Sequence, residues 1–133
     1  MLEKFDAYQF AKRFYWSCKS VRVPRFLQEQ LLRASSSVVL NLAEGAGKRT
    51  PQDQRRFYAM AFGSLRESRA ILEMEEIKDP AILRLADDLG AMLYVLSRKL
   101  PNPGQTPPLA VIATENKTDS DTDSVSAAPA PKM

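Results

Sequence analysis

Residues 45–50 read Gly-Ala-Gly-Lys-Arg-Thr, a combination that invites comparison with a loop that cradles phosphate. Such a loop needs G-x-x-x-x-G-K-[S/T] between a strand and a helix. Its backbone N–H groups wrap the phosphates, and the hydroxyl after the lysine holds magnesium. With Gly47-Lys48 ending the motif, its first glycine falls on Leu42 and its hydroxyl position on Arg49. The residues before it recur with helical periodicity, not that of a strand. The stretch therefore reads as a turn between helices. Gly45 and Gly47 stand where a left-handed C-terminal cap belongs, Lys48 and Arg49 meet the partly negative end of that helix, and Thr50-Pro51 opens the next.

Catalytic chemistry finds little support. The chain has no histidine, which removes the commonest general base and the commonest metal ligand. Its single cysteine, Cys18, excludes an internal disulfide and any multi-cysteine metal site. Glu44 has no second convergent carboxylate, so it is a poor candidate for a catalytic acid. Ser37, Asn41, Glu44 and Ser64 read better as a structural polar network that fixes helix register or a subunit contact, since buried polar groups need partners. Glu73, Glu75, Glu76, Asp87 and Asp88 lack the Glu-x-x-His pairs of bundle metal sites and read as a solvated face. No catalytic residue, metal or cofactor is expected.

Binding to a polyanion is the better-supported chemistry. Tyr8, Lys12, Tyr15 and Lys19 recur at 4-3-4 spacing, which lines charge and aromatic rings along one helix face for phosphate contact and base stacking. Arg22 lies just beyond. Arg55, Arg66 and Arg69 fall within about 60° of one another at 100° per residue. Lys48, Arg49 and Arg56 cluster at the turn. Residues 1–69 carry 13 Lys/Arg against 6 Asp/Glu, residues 70–100 carry 4 against 6, and residues 101–133 carry 2 against 4. The overall +3 is thus concentrated in the first half, as suits a surface that meets polyanions. The competing readings are a solvated helix face and, for Tyr8 and Tyr15, packing against another subunit. No groove-reading element is recognisable, so the expected binding to RNA or DNA is weak and not sequence-specific.

Four helices must position these groups. The first spans about Phe5 to Val21, with Ala11, Phe14, Cys18 and Val21 as its apolar stripe, which makes Cys18 a core residue. The second spans about Pro24 to Ala46, with Pro24 in its first turn. Its stripe is Leu27, Leu31, Ala34, Val38 and Leu42, while Leu32, Val39, Leu40 and Ala43 lie off it. A helix this apolar is central or shared with another subunit. The third starts at the cap Thr50, with Pro51 and Asp53 in its first turn, and reaches about Ile77. Tyr58, Ala61, Phe62, Leu65, Ser68 and Leu72 face inward. Gly63 and Ser64 form a small patch expected to face Ser35, Ser36 and Ser37, and close backbone contact is the expected compensation for a glycine inside a helix. Asp79-Pro80 starts the fourth, whose Ile82, Ala86, Leu89, Leu93, Leu96 and Leu100 keep heptad spacing. Short connections make neighbours antiparallel, which predicts an all-α, up-down-up-down four-helix bundle over residues 1–100.

With the helices placed, residues 33–73 carry a resemblance. Arg33, Ala34, Ser37, Asn41, Ala43, Glu44 and Gly45, then a short basic loop, then Arg56, Phe57, Ala61, Gly63, Ser64, Leu65 and Glu67 follow one pattern. It is R-A-x-x-S-x-x-x-N-x-A-E-G followed by R-F-Y/L-x-x-A-x-G-S-L-x-E. The stretch resembles the bacterial four-helix-bundle family known from proteins encoded in ribosomal RNA intervening sequences, which includes the accessory variability proteins of diversity-generating retroelements. The resemblance implies a bundle that assembles into a ring-like pentamer. In the retroelement branch it also implies nucleic acid and a reverse transcriptase as partners.

The 133 residues, 44% hydrophobic and 26% charged, fit one small domain plus a less ordered segment. Residues 101–133, rich in Pro, Ser, Thr and Asp, are expected to be mostly disordered, with Leu109–Ala113 as an apolar island. No apolar run is long enough to span a bilayer, the N-terminus does not read as a signal peptide, and the cysteine usage suits the cytoplasm. The leading expectation is a non-enzymatic, oligomeric nucleic-acid-binding accessory or scaffold protein. The alternative is a protein-interaction or structural module without nucleic acid, whose partner docks on the second helix or the tail.

Overall fold

The computed structural model describes Leu2 and residues 5–98. Four helices follow in order: α1 (Asp6–Lys19), α2 (Arg25–Ala46), α3 (Pro51–Met74) and α4 (Pro80–Leu96). The described residues contain no strand. Leu100, the expected tail 101–133 and its Leu109–Ala113 island lie outside the described residues.

Each helix packs along two neighbours in the cyclic order α1–α2–α3–α4, so α1 and α3 occupy opposite corners. This is an all-α, antiparallel four-helix bundle. Its core is built from the stripes that the periodicity predicts. Phe14 and Cys18 of α1, Leu31, Val38 and Leu42 of α2, Leu65 and Leu72 of α3, and Ile82, Leu89 and Leu93 of α4 are all buried. Leu40, off the stripe of α2, is 66% exposed.

The helix ends show how local chemistry sets the register. Thr50 Oγ1 accepts the Asp53 N–H at 3.1 Å, and Asp79 Oδ1 accepts the Ala81 N–H at 3.0 Å, so both Pro-containing starts are capped by a side chain. Pro24, expected in the first turn of α2, is instead its N-cap. The Pro24 carbonyl accepts from the N–H groups of Leu27 and Gln28.

Two expectations about glycine are corrected. The end of α2 has no left-handed cap, for the C-cap Gly47 has φ −89° and ψ −3°. The left-handed residue is Glu76 (φ 54°), after α3. There the Ile77 N–H reaches the Leu72 carbonyl at 2.9 Å and the Glu76 N–H reaches that of Glu73 at 3.0 Å. This double closure, with half-buried Ile77 packed on the core, offsets the strain of a side chain at positive φ. The close contact expected at Gly63 is also absent among the described residues. A Cβ there would meet nothing within 4 Å, because Gly63 faces outward.

The close approach occurs at Gly45. A Cβ there would lie 2.7 Å from Tyr58 Cε1 and 3.0 Å from Phe57 Cβ. Gly45 is buried inside the last turn of α2, and its missing side chain lets the Tyr58 ring lie against the α2 backbone. Gly45→Ala should cost about 1–3 kcal/mol, the usual range for overpacking. Urea denaturation of the two proteins measures the difference.

Candidate nucleic-acid interface

The expected polar network forms around three of its four residues. Asn41 Nδ2 donates to the Ser37 carbonyl at 2.9 Å and to Ser37 Oγ at 3.0 Å. Ser64 Oγ donates to Ser37 Oγ at 2.9 Å and so joins α3 to α2. Ser68 Oγ extends the line by donating to the Ser64 carbonyl at 3.0 Å. Glu44 takes no part. It is exposed on the next turn and pairs with Lys48 Nζ at 3.2 Å. An i,i+4 pair in solvent contributes a few tenths of a kcal/mol.

The nine basic candidates do not gather into one surface. Because α1 and α3 sit at opposite corners, Lys12, Lys19 and Arg22 are separated from the arginines of α3. Lys48, Arg49, Arg55 and Arg56 lie around the α2–α3 turn, at the end of the bundle away from Lys19 and Arg22. Lys48 and Arg56 both lie against the Phe57 ring, 5.0 and 4.7 Å from its centre. Arg66 is exposed on α3. Arg69 is committed to α4, with Nη2 2.8 Å from Asp87 Oδ1. Among the described residues, Lys48 and Arg69 are the members of the nine held in ion pairs. Asp88 pairs with Arg84, and no group of three or more potential ligands gathers to hold a metal among the described residues.

The α1 face has a distinct character. Lys12 Nζ lies 5.2 Å from the centre of the Tyr8 ring and 5.7 Å from that of Trp16, and Lys19 Nζ lies 5.0 Å from that of Tyr15. Arg13 rests 4.4 Å from the Phe10 ring centre. Rings, not carboxylates, neighbour these cations. From Ala7 to Arg25 the chain has five Lys/Arg and no Asp/Glu. Trp16 was not among the residues singled out from the sequence. Its signal was available, since it lies four residues after Lys12 and outside the buried stripe.

Cys18 is fully buried, and burial pushes its thiol up to about 12 from the usual 9.0, with a hydrogen bond involving Ser35 acting weakly the other way. It is an inert core group.

The fold and surface define a four-helix bundle with cations set among aromatic rings on an outer helix. The family model described as 23S rRNA-intervening sequence protein matches residues 4–93, and the chain belongs to that family. No curated protein and no solved structure matches it. Among the described residues no helix is long and apolar enough to cross a membrane.

Two measurements probe the site. A Ser37→Ala, Ser64→Ala double-mutant cycle should return a coupling of about 1 kcal/mol for the α2–α3 hydrogen bond. The Cys18 thiol titrates near 9.0 unfolded but near 12 folded, so above 9.0 the unfolded chain sheds a proton that the folded chain keeps. Stability should be indifferent to this group below pH 9.0 and fall from there towards 12. The loss should reach about 1.4 kcal/mol per pH unit. Burial also raises the Tyr58 pKa and acts in the same direction, so the comparison is with Cys18→Ala, whose urea midpoint should decline less steeply over that range.

Proposed function

We propose that this chain is a non-enzymatic, cytoplasmic, homo-oligomeric accessory protein that binds nucleic acid weakly through phosphate, without reading sequence. The carrying observation is the run from Ala7 to Arg25, whose five cations have no carboxylate within the run and, except for Arg25 with Glu29, no ion-pair partner among the described residues. Uncompensated cations on a rigid helix release counterions from a polyanion, and this supplies affinity without sequence preference. Membership of a family named for 23S rRNA intervening sequences supports RNA as the polyanion. The reading takes the rRNA-linked branch; a reverse transcriptase partner belongs to the retroelement branch and forms no part of it.

Assembly is supported by a second surface. Leu40 of α2 and Met60 of α3 are 66% and 47% exposed, and Gly63 nearby on α3 has open space where its side chain would be. An exposed leucine, and a glycine that no contact among the described residues requires, suit the approach of another copy, in a ring of five on the family resemblance.

Binding to RNA should fall steeply with salt, and Lys12→Gln or Lys19→Gln should each reduce the slope of log K against log salt by about 1. A gel-shift series from low to moderate salt measures it, and salt-independent or absent binding refutes the reading in favour of a protein-interaction module. Light scattering should give a mass several times that of one chain. Leu40→Lys with Gly63→Leu should lower it with helix content unchanged, whereas a monomeric parent protein refutes assembly.

A further inference from the structure

We propose that the outer face of α1 binds an unpaired nucleic-acid strand, with one base stacked on Trp16 and neighbouring phosphates held by Lys12 and Lys19. This rests on the nucleic-acid reading above and adds what that reading lacks, a reason to prefer single strands.

Three observations carry it. First, α1 needs no exposed aromatic for its packing, because Ala7, Ala11, Phe14 and Cys18 already fill the inward face. Trp16 stands on the opposite side and is 55% exposed, although a ring of this size is normally well covered. Second, Lys12 lies between the Tyr8 and Trp16 rings, within reach of both, so a cation and two stacking surfaces form one continuous strip. Third, Lys12 and Lys19 are about 10 Å apart along the helix axis, one on either side of Trp16 in sequence. A strand running along α1 can give a phosphate to each and a base to the ring between them.

The occupant follows from this chemistry. In a duplex the base faces are stacked on one another, so a tryptophan finds no free face on which to stack. An unpaired base has a free face, and stacking on an aromatic ring is tolerant of sequence. Charge complementarity is equally direct, since no carboxylate lies between Ala7 and Arg25 to repel the strand.

Trp16 is the only tryptophan in the chain, so its emission reports this ring alone. The full-length protein is titrated at low salt with oligouridylate RNA and, separately, with an RNA duplex of equal length. Binding is followed independently by anisotropy of labelled RNA. Saturable quenching by oligouridylate, at the same midpoint as the anisotropy change and without quenching by duplex, is the expected result. Trp16→Leu should weaken binding to oligouridylate about tenfold and leave duplex binding unchanged, with Trp16→Phe recovering part of the loss. Lys12→Gln should weaken binding to both. Circular dichroism confirms that the variants remain folded. Binding of oligouridylate without quenching, and unaltered by Trp16→Leu, overturns the stacking proposal while the nucleic-acid reading survives. Failure of both RNAs to bind overturns both. Quenching by phosphatidylserine vesicles but not by RNA assigns the face to a membrane surface and overturns the proposal, as does a fall in oligomer mass on Trp16→Leu.

Discussion

The close approach of α2 and α3 at Gly45 governs the rest of the bundle. With no Cβ at that position, the Tyr58 ring lies against the last turn of α2, and the two helices are held at that separation from their shared turn onward. About two turns further on, the approach brings Ser64 within hydrogen-bond distance of Ser37. Tyr58 also meets Phe5 at 6.0 Å between ring centres, which links the start of α1 to the same contact. A glycine, a tyrosine and a pair of serines thus set the register onto which α1 and α4 pack. The polar members contribute specificity more than energy, since a satisfied hydrogen bond yields about 1 kcal/mol net while a displaced one leaves a group unpaired.

That register has an electrostatic consequence. Placing α1 and α3 at opposite corners separates charges that are close in composition but not in space. Of the arginines of α3, Arg69 is drawn into a pair with Asp87 of the net acidic second half, while Arg56 lies against the Phe57 ring. The cations of α1 have aromatic neighbours instead. A cation beside a ring keeps its charge available to a ligand, whereas one beside a carboxylate is largely neutralised. The cations therefore differ in their surroundings from one part of the bundle to another rather than forming one uniformly basic surface.

Much of the fold was legible residue by residue. Thr50-Pro51 and Asp79-Pro80 act as helix starts because a side-chain oxygen and a proline work locally, over three or four residues. The inward stripes of all four helices follow from periodicity, and so does the burial of Cys18. The errors lie where a residue acts through a neighbour distant in sequence. Gly63 and Gly45 are indistinguishable as letters in a helix, and only the position of Tyr58 makes Gly45 the one that must lack a side chain. Glu44 stands beside Asn41 in the pattern that carries the resemblance, but it takes no part in the Ser37–Ser64 contact and meets Lys48, just beyond the end of its own helix.

The sequence by itself determined the four helices, their order and antiparallel sense, and the residues that fill the core, because these depend on local propensity, capping and hydrophobic period. It also carried the pattern that joins the chain to its family. Only the tertiary structure decided which glycine allows close approach, which serines meet, and which cations remain uncompensated. Those outcomes depend on the rotation and spacing of helices about one another, and a one-dimensional pattern does not specify them. Trp16 shows the difference most clearly: in the sequence it is one more aromatic on an aromatic-rich helix, and in the bundle it is the ring left in solvent beside Lys12.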